Sequence, residues 1–438
     1  MASSKKSKAS LKTNKRIAVA FSGGLDSVVL LDTVCKSLQT SKANPTQTPT
    51  EVWAFHIHHG LQKSADQWLL FCEKLANKYK IHFDFRLLHL RDDKAQGNIE
   101  ARARAGRYEA LADLCIEHDI TDLLLAHHQN DQAETVLLQL LRGAGVAGLS
   151  GMPVQRRLGT PAHSITAIKL ERPLLNRSRQ ELEAYAKQHK LKWIEDPSNQ
   201  DTRYRRNALR KHIIPRLEKI QPDAVANLAR SAELMADAQT LLDRLAQQDG
   251  KSILKENTLS LKILQNLAQQ DLPAANNLMR YWLKLNDLAM PSQERLQSWW
   301  KDLSGIKADA QLEWQHDGSS IRLWRGILQI AQAQTGQWIF KPVPTNSKAL
   351  GLPATFIKAA QEQGQIFMRE RQGSEKIQIK PNSPHKSLKK LFQEAGVPPW
   401  QRQAPLLYIG AELIAVAGVG VSYPHLVASG KRVAPVWA

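Results

Sequence analysis

The chain has 438 residues, of which 42% are hydrophobic and 23% charged, a composition that excludes wholesale disorder and leaves room for two or three domains. It carries 60 lysines and arginines against 41 aspartates and glutamates, and the formal net charge of +19 favours a polyanionic partner. Nucleic acid fits that charge better than a membrane surface, because no amphipathic basic helix with a large aromatic face is visible.

The first half of the chain predicts a basic tail and then an α/β domain. Residues 1–15 are rich in serine and lysine and predict a flexible tail; an organellar transit peptide is the less favoured alternative, since arginine and an amphipathic period are missing. Residues 16–217 alternate short apolar runs with helical patterns, which is typical of a doubly wound parallel sheet with its ligands beyond the carboxyl ends of the strands. The predicted strands lie at 17–21, 51–59, 82–88, 122–127 and 167–174.

The second half predicts two further domains. Residues 218–341 have mainly helical periodicity, although 312–332 alternate around an HDGSS hairpin turn. Residues 342–354 have the proline, glycine and serine content of a linker. Residues 355–438 predict a small α+β domain, with strands near 376–380, 405–410 and 412–418 and a helix at 387–396.

The segment SGGLDS, residues 22–27, stands between the first predicted strand and the first helix. Free backbone N–H groups and the positive end of a helix dipole meet there and form an anion site. Gly23 and Gly24 allow close approach of the backbone, and the hydroxyls of Ser22 and Ser27 add hydrogen bonds. Asp26 is unfavourable beside bare phosphates and therefore predicts an intervening Mg²⁺. The simpler alternative is a turn with a capped helix.

Two segments further along place polar side chains near the same edge of the sheet. HIHHG, residues 56–60, ends the second predicted strand, so His58 is expected at the ligand crevice, although exposed histidines at strand ends are commonplace. Arg104 and Arg107 share one face of the next helix and can point toward phosphate. A salt bridge between Glu100 and Arg104 explains the spacing equally well.

Two later segments carry the remaining candidates. In AHHQNDQAET, residues 126–135, we expect His127, Asp131 and Glu134 on one face of a helix that opens at a strand end. Acid–base work or binding of an amine suits them better than metal ligation through His127, His128 and Asp131, because the H-E-x-x-H pattern is missing. DPSNQDTRYRRNALR, residues 196–210, contains Arg206 and Asn207 in a loop before a helix; a solvated charged turn is the alternative.

These motifs resemble those of the tRNA(Ile)-lysidine synthetases, members of the PP-loop N-type ATP pyrophosphatases. SGGLDS matches the PP-loop, and the Walker pattern G-x-x-x-x-G-K-[ST] is missing. Each later motif is weak by itself, but their order and number make the resemblance specific from Arg16 nearly to the end. The further matching segments are HHGL (58–61), the E-x-x-x-R-x-x-R-Y helix, AHHxxDQAET, LRGAGVAGLSGM (141–152), RPLL (172–175), DPSN, RRN and KKLFQEAGVPPWQR (389–402).

The resemblance implies an ATP-dependent ligation of free L-lysine to a tRNA. The wobble cytidine of the isoleucine tRNA with a CAU anticodon attacks the α-phosphate of ATP through its 2-carbonyl oxygen, and pyrophosphate leaves. The ε-amine of lysine then displaces AMP and gives lysidine. ATP and Mg²⁺ are the implied cofactors, and the second and third domains are expected to bind the tRNA.

Residue chemistry and the resemblance together assign the following roles. ATP binding is assigned to Ser22, Gly23, Gly24, Leu25, Asp26, Ser27, His58, Arg107 and His127 or His128, with Asp26 as the Mg²⁺ ligand. Catalytic work is assigned to Asp26, Arg104, Asp131 and Glu134, of which Asp131 and Glu134 also bind lysine. Arg206 and Asn207 are assigned to the cytidine-bearing loop or the adenylate. Lys386, Lys389, Lys390 and Arg402 are predicted to contact tRNA phosphates.

Two other functions remain open from the sequence: a PP-loop tRNA thiolase, and a non-catalytic RNA-binding protein on a PP-loop scaffold. The three cysteines, Cys35, Cys72 and Cys115, are far apart and lie in apolar helical contexts, which disfavours sulfur chemistry and predicts a reducing compartment. No apolar stretch approaches the roughly 20 residues that span a bilayer. We therefore expect a cytoplasmic protein without a membrane partner. The sequence does not define the oligomeric state, and a homodimer is one option.

Overall fold

The computed structural model describes residues 15–41, 50–58, 65–88, 99–158, 168–255, 257–306, 310, 312–331, 336–344 and 346–437. These residues form two compact units, one within 1–244 and one within 245–438. Among the helices of these ranges, none is both long and apolar enough to cross a membrane. The predicted basic tail, residues 1–14 in particular, lies outside the described residues.

The first unit contains a six-stranded sheet. Its strands are β1 (Lys15–Ala20), β2 (Thr50–His58), β3 (His82–Leu87), β4 (Asp122–Leu124), β5 (Gln155–Leu158) and β6 (Ile168–Glu171). Their order across the sheet is β3-β2-β1-β4-β6-β5; all neighbours are parallel except β5, an antiparallel edge strand. The order reverses at β1, so the segments after β1 and β4 border one crevice at the carboxyl ends of the strands.

Helices α1 (Leu25–Ser41), α2 (Ala65–Tyr79) and α6 (Arg179–Gln188) pack on one face of this sheet, and α3 (Ile99–Glu117) packs on the other. The helices that follow along the chain are α4 (Gln129–Leu140), α5 (Val146–Leu149), α7 (Arg205–Ala208), α8 (Ile214–Ile220) and α9 (Ala224–Asp249), which extends past residue 244. Because side chains alternate along a strand, Val19 of β1 packs with residues of α1, α2 and α6, whereas its neighbour Ala18 packs with residues of α3. The predicted doubly wound α/β fold is confirmed.

A buried carboxylate on α1 links that helix to two others, α2 and α6. Asp32 of α1 is 3% exposed and accepts hydrogen bonds from the hydroxyls of Tyr79 at 2.6 Å and Tyr185 at 2.7 Å, and Lys36 Nζ lies 2.8 Å away. Burial alone would raise the pKa of Asp32, but these partners outweigh it and hold the pKa below its ordinary value. The cluster thereby connects α2 and α6 to α1.

The pH dependence of stability should report this cluster. Because the folded pKa of Asp32 lies below its unfolded value of about 3.9, the stabilisation is present above that value and is lost as the pH falls through the folded pKa. We expect Asp32→Asn to lower the free energy of unfolding in urea near neutral pH, with a gap from the wild type that closes in acid. The exposed Asp113→Asn is the control. A gap that stays constant with pH would contradict the assignment.

The second unit begins with helices and an antiparallel sheet. Its helices are α10 (Leu261–Gln270), α11 (Leu272–Leu285) and α12 (Gln293–Leu303), and its strands are β7 (Leu254–Lys255), β8 (Thr258–Ser260), β9 (Leu312–His316), β10 (Ser319–Trp324) and β11 (Ile327–Ala331), in the order β7-β8-β11-β10-β9. Trp282 and Trp299 are almost fully buried in the core between them. The β9–β10 hairpin turns at Asp317 and Gly318, as the HDGSS pattern predicts.

The C-terminal part of this unit has three small sheets. They contain β12 (Trp338–Val343), β13 (Leu352–Pro353), β14 (Ile366–Arg369), β15 (Lys376–Ile377), β16 (Lys386–Ser387), β17 (Leu406–Ile409), β18 (Glu412–Val416), β19 (Gly420–Val421) and β20 (Arg432–Trp437), with helices α13 (Ala354–Glu362) and α14 (Leu388–Glu394). The segment 342–354, expected to be a linker, contributes to this structure at both ends, because β12 and β13 both pair with β20.

Candidate active site

The loop after β1 folds back on itself and leads into the N-terminus of α1. The hydroxyls of Ser22 and Ser27 lie 3.1 Å apart, Ser27 Oγ donates to the Gly24 carbonyl at 2.9 Å, and Gly24 N lies 3.4 Å from Ser22 Oγ. Leu25 and Asp26 belong to the first turn of the helix. Backbone N–H groups of this turn have no intrahelical acceptor, so the loop is suited to hold an anion.

Gly23 is required by its conformation as well as by space. Its φ is +83°, and a Cβ atom there would lie 2.9 Å from Cys72 Sγ and 3.0 Å from Ile194 Cδ1. The Gly23 carbonyl also accepts a hydrogen bond from Ile194 N at 2.9 Å. Gly24 has neither restriction, since a Cβ atom on Gly24 would lie 3.6 Å from its nearest neighbour. The two adjacent glycines therefore have different structural roles.

Gly23→Ala should be the more damaging of the two alanine substitutions. We expect it to lower the free energy of unfolding by about 1–2 kcal/mol from the left-handed backbone alone, with a further loss from the steric contact. Gly24→Ala should stay within about 1 kcal/mol of the wild type. Urea unfolding of both variants measures the difference, and equal stabilities would show that the loop has a different backbone conformation.

Asp26 faces the segment that follows β4. Its Oδ2 lies 3.6 Å from His128 Nε2 and 4.0 Å from Arg179 Nη1. Its Oδ1 is buried and has no hydrogen-bond partner among the described residues. An orphaned, buried carboxylate oxygen beside an anion-binding loop fits a divalent cation, because Mg²⁺ prefers oxygen ligands and bridges carboxylates to phosphates.

In the AHHQND segment, the helix begins later than the sequence pattern predicts. Helix α4 begins at Gln129, so His127 precedes the helix and only Asp131 and Glu134 lie on it. His128 is at the N-cap, and its backbone N–H donates to Asp131 Oδ2 at 3.1 Å. A residue before the helix does not follow helical periodicity, which explains why spacing alone misplaced His127.

His128 lies between two carboxylates. It is 1% exposed, and its Nε2 is 3.4 Å from Asp131 Oδ2 as well as 3.6 Å from Asp26. Burial opposes protonation, but the carboxylates of Asp26 and Asp131 raise the pKa of His128 above its ordinary value. Burial conversely favours the neutral form of Asp131, yet His128, through its charge and its backbone N–H, and Arg210 together lower the pKa of Asp131 below its ordinary value. Asp131 therefore stays ionised.

Glu134 pairs with an arginine from a distant segment. Its side chain is fully buried, and Arg210 reaches Oε1 with Nη2 at 2.7 Å and Nε at 2.8 Å; Arg210 Nη2 also lies 3.5 Å from Asp131 Oδ1. Burial raises the pKa of Glu134 above its ordinary value against the attraction of Arg210. Glu134 Oε2 is buried and has no hydrogen-bond partner in the described chain.

Arg210 lies in the segment 196–210 that the sequence singles out, but only Arg206 and Asn207 of that segment were assigned a role. It lies in a short π-helical turn, Leu209–Ile213, directly after α7. π-helical turns occur frequently at functional sites. The sequence signal was the four-residue spacing of Arg206 and Arg210 in RRNALR, which puts both side chains on one helical face. Arg206 itself donates to Thr135 Oγ1 at 3.0 Å, beside the same helix.

Arg172 also approaches this site. It is 3% exposed, its Nε donates to His127 Nδ1 at 3.3 Å, and its Nη1 donates to the Pro153 carbonyl at 2.6 Å. Burial lowers the pKa of His127 to about 4, with neighbouring guanidinium groups adding to the effect and Asp131 opposing it. His127 is therefore neutral at physiological pH. RPLL contributes to the family resemblance, but its arginine was not predicted to contact the site.

Four other predicted residues lie on β2, α3 and α7. His58 is buried at the end of β2, with Nε2 3.1 Å from Asp66 Oδ1. Arg104 and Arg107 are exposed on α3, where the Arg104 guanidinium lies 5.8 Å from the ring centre of Tyr108. Asn207 Nδ2 donates to the backbone carbonyl of residue 201 at 2.9 Å. His59, Gly60 and the side chain of Glu100 lie outside the described residues.

The predicted tRNA contacts in the second unit fall into two groups. Lys389 and Lys390 are exposed on α14. Lys386 Nζ pairs with the Glu394 carboxylate at 2.9 Å, and Arg402 Nε donates to the Val397 carbonyl at 2.8 Å. The two exposed lysines are therefore the simplest positions at which to test phosphate contacts.

Comparison with known proteins connects this site to a family. A family model described as a PP-loop domain matches residues 2–217, one described as a TilS substrate binding domain matches 264–329, and one described as a TilS substrate C-terminal domain matches 366–434. Among solved structures, the U34-tRNA thiolase NcsA from Methanococcus maripaludis is 20% identical with a TM-score of 0.42, and the match covers 52% of this chain and 73% of that one. A TM-score of that size carries no argument about fold.

Curated relatives match along nearly the whole chain. The tRNA(Ile)-lysidine synthase of Serratia proteamaculans is 37% identical over 94% of this chain and 93% of its own. The tRNA(Ile)-lysidine synthase of Ralstonia nicotianae is 38% identical over 92% of this chain and 88% of its own. These identities confirm the resemblance that the motifs predicted, and the chain belongs to the tRNA(Ile)-lysidine synthase family.

Proposed function

We propose that the protein ligates free L-lysine to the wobble cytidine of the isoleucine tRNA with a CAU anticodon, using ATP and releasing AMP and pyrophosphate. One observation carries this proposal: the PP-loop aspartate and an acidic pair form a single chain of contacts. Asp26, His128 and Asp131 follow one another at 3.6 and 3.4 Å, and Arg210 joins Asp131 to Glu134. A site for ATP thus adjoins a site suited to an amine.

The first step is adenylation of the cytidine. Its 2-carbonyl oxygen forms a bond to the α-phosphorus of ATP as the bond to pyrophosphate breaks. Negative charge grows on the departing pyrophosphate, and the N-terminus of α1 with the Ser22 and Ser27 hydroxyls is placed to stabilise it. Arg104 and Arg107 are further candidates to neutralise that charge. Mg²⁺ held by Asp26 would supply additional positive charge to the phosphates when bound.

The second step is displacement of AMP by lysine. The ε-amine must lose a proton from a resting pKa of about 10.4 before it can attack the ring carbon. Asp131 is ionised beside His128 and can accept a proton, and we assign binding of the ammonium group to Glu134, whose buried Oε2 has no hydrogen-bond partner among the described residues. The new bond joins the lysine nitrogen to the cytidine C2, and the C2–oxygen bond breaks with AMP. Arg206 and Asn207 we assign to the adenylate or the cytidine-bearing loop.

The thiolase alternative needs a reactive cysteine, which the three cysteines do not provide. All three are buried, and burial raises the pKa of Cys35 to about 11 and of Cys72 and Cys115 to about 12. A buried thiol with a raised pKa is a poor nucleophile at neutral pH. Lysidine formation is therefore favoured over thiolation. We also propose that the reaction takes place in the cytoplasm.

Binding of the tRNA by the second unit can be tested at its exposed lysines. We expect Lys389→Glu with Lys390→Glu to raise the KM for tRNA several-fold and to reduce its dependence on salt, because two phosphate contacts are lost. The same exchange at Lys358, which pairs with Glu362 on α13, is the control. Unchanged tRNA affinity after the double charge reversal would remove α14 from the interface.

The proposed adenylation has its own assay, which does not require lysine. Pyrophosphate release from ATP should depend on the isoleucine CAU transcript and should occur before lysine is added, with the α-phosphate label retained on the tRNA. Pyrophosphate release that needs no tRNA, or no release with it, would exclude cytidine adenylation. The result also separates an enzyme from a non-catalytic RNA-binding protein.

A further inference from the structure

A buried guanidinium group determines which nitrogen of His127 carries the proton. Arg172 Nε points its hydrogen at His127 Nδ1 over 3.3 Å. A guanidinium group can only donate and is not deprotonated in proteins, so Nδ1 must accept with its lone pair. A neutral imidazole has one proton, which then resides on Nε2.

The placement of Arg172 shows that this contact is held rigidly. Its side chain is almost fully buried, Nη1 donates to the Pro153 carbonyl at 2.6 Å, and its backbone N–H donates to the Val154 carbonyl at 2.8 Å. Gln132 of α4 holds the adjacent Met152 through both backbone groups, at 2.8 and 3.1 Å. Arg172 is thus anchored to the same segment that packs on the active-site helix.

The surroundings of His127 fit binding of an anion by a neutral donor. The charges that act on its ring are the guanidinium groups of Arg172, Arg104 and Arg206 and one carboxylate, Asp131. Together with burial, these cations lower the pKa of the ring, so protonation does not compete with the donor role. The positive charges that act on His127 favour an anionic oxygen as the acceptor of its N–H.

We propose that Arg172 is a positioning residue that fixes His127 as an Nε2–H donor to an α-phosphate oxygen of ATP or of the adenylate. The proposal rests on the proposed function for the identity of that anion. In this tautomer Nε2 already carries a proton, so it has no lone pair with which to accept one from the substrate. Proton removal from lysine is therefore left to the carboxylates on α4, and His127 assists adenylation instead.

The tautomer can be read directly by NMR of protein labelled with ¹⁵N-histidine, with His127 assigned from its missing signals in His127→Gln. We expect the Nδ1 signal of an unprotonated nitrogen and the Nε2 signal of a protonated one, both unchanged across neutral pH. A protonated Nδ1 in the wild type would overturn the proposal, whatever the activity of the enzyme. Because this measurement needs no variant of Arg172 and no tRNA, it is independent of the proposed function.

Substitution of Arg172 tests the positioning role. Arg172→Lys keeps a donor and should keep the tautomer, whereas Arg172→Leu should give mixed tautomers and slow adenylation by about 10- to 100-fold. Arg157→Leu is the control, because Arg157 is exposed on the same strand, β5, and is not among the charges that act on Arg172 or His127. An unchanged tautomer in Arg172→Leu would overturn the role of Arg172. If Arg172→Leu does not fold, the wild-type and Arg172→Lys spectra decide the question.

Discussion

Asp131→Asn should stop the transfer of lysine while leaving adenylation of the tRNA intact. Asparagine keeps an oxygen that can accept the helix-capping hydrogen bond from His128 N, so α4 should begin as in the wild type. The negative charge that would take the proton from lysine is lost. We expect lysine transfer to fall by about 100- to 10,000-fold, in the range of general acid–base catalysis.

The expected signature is an accumulated intermediate. In rapid-quench experiments with ATP labelled at the α-phosphate, label should remain on the tRNA in Asp131→Asn and turn over in the wild type. The exposed Asp113→Asn on α3 serves as the matched control. Equal loss of both steps would assign Asp131 to nucleotide or metal binding rather than to lysine.

Breaking the pair of Glu134 and Arg210 should have the largest effect on stability. Glu134 is fully buried, so Arg210→Gln leaves its carboxylate without a partner, and we expect that variant to lower the free energy of unfolding by about 3–5 kcal/mol. Glu134→Gln should cost less, because the Arg210 side chain is 34% exposed and still lies 3.5 Å from Asp131. The double variant should lose clearly less than the sum, because neither charge remains.

A urea-unfolding double-mutant cycle measures this coupling. Glu362→Gln on α13 provides the comparison, since its pair with Lys358 is largely exposed and should contribute less than about 1 kcal/mol. In variants that fold, Glu134→Gln should also raise the KM for lysine. Additive losses in the cycle would show that the two side chains do not stabilise each other.

Local patterns were sufficient to predict the sheet, the PP-loop and most of the helices. SGGLDS combines a strand end, two glycines and a helix start within six residues, so its chemistry is visible without tertiary structure. Strand β5 was missed because QRRL carries two adjacent arginines and has no apolar alternation. An antiparallel edge strand does not have to be buried on both faces, so its sequence need not be apolar and its periodicity predicts it poorly.

The missed site residues depend on contacts between distant segments. Arg210 meets Glu134 over 76 positions, and Arg172 meets His127 over 45. Both arginines are as consistent with an exposed loop as with a buried site when only the sequence is considered. The order of the strands brings these segments to the same edge of the sheet. The sequence predicts a parallel sheet of this kind, but it does not predict which side chains from distant segments will be in contact.

The most direct test of the account supplies ATP, labelled lysine and a panel of unmodified tRNA transcripts to the full-length protein. The panel should contain the isoleucine CAU transcript, the methionine transcript with the same anticodon, and the isoleucine transcript with its wobble cytidine replaced by uridine. Label should enter only the isoleucine CAU transcript, and only with ATP present. Label in the uridine variant, or none in the isoleucine CAU transcript, would contradict lysidine formation by this protein.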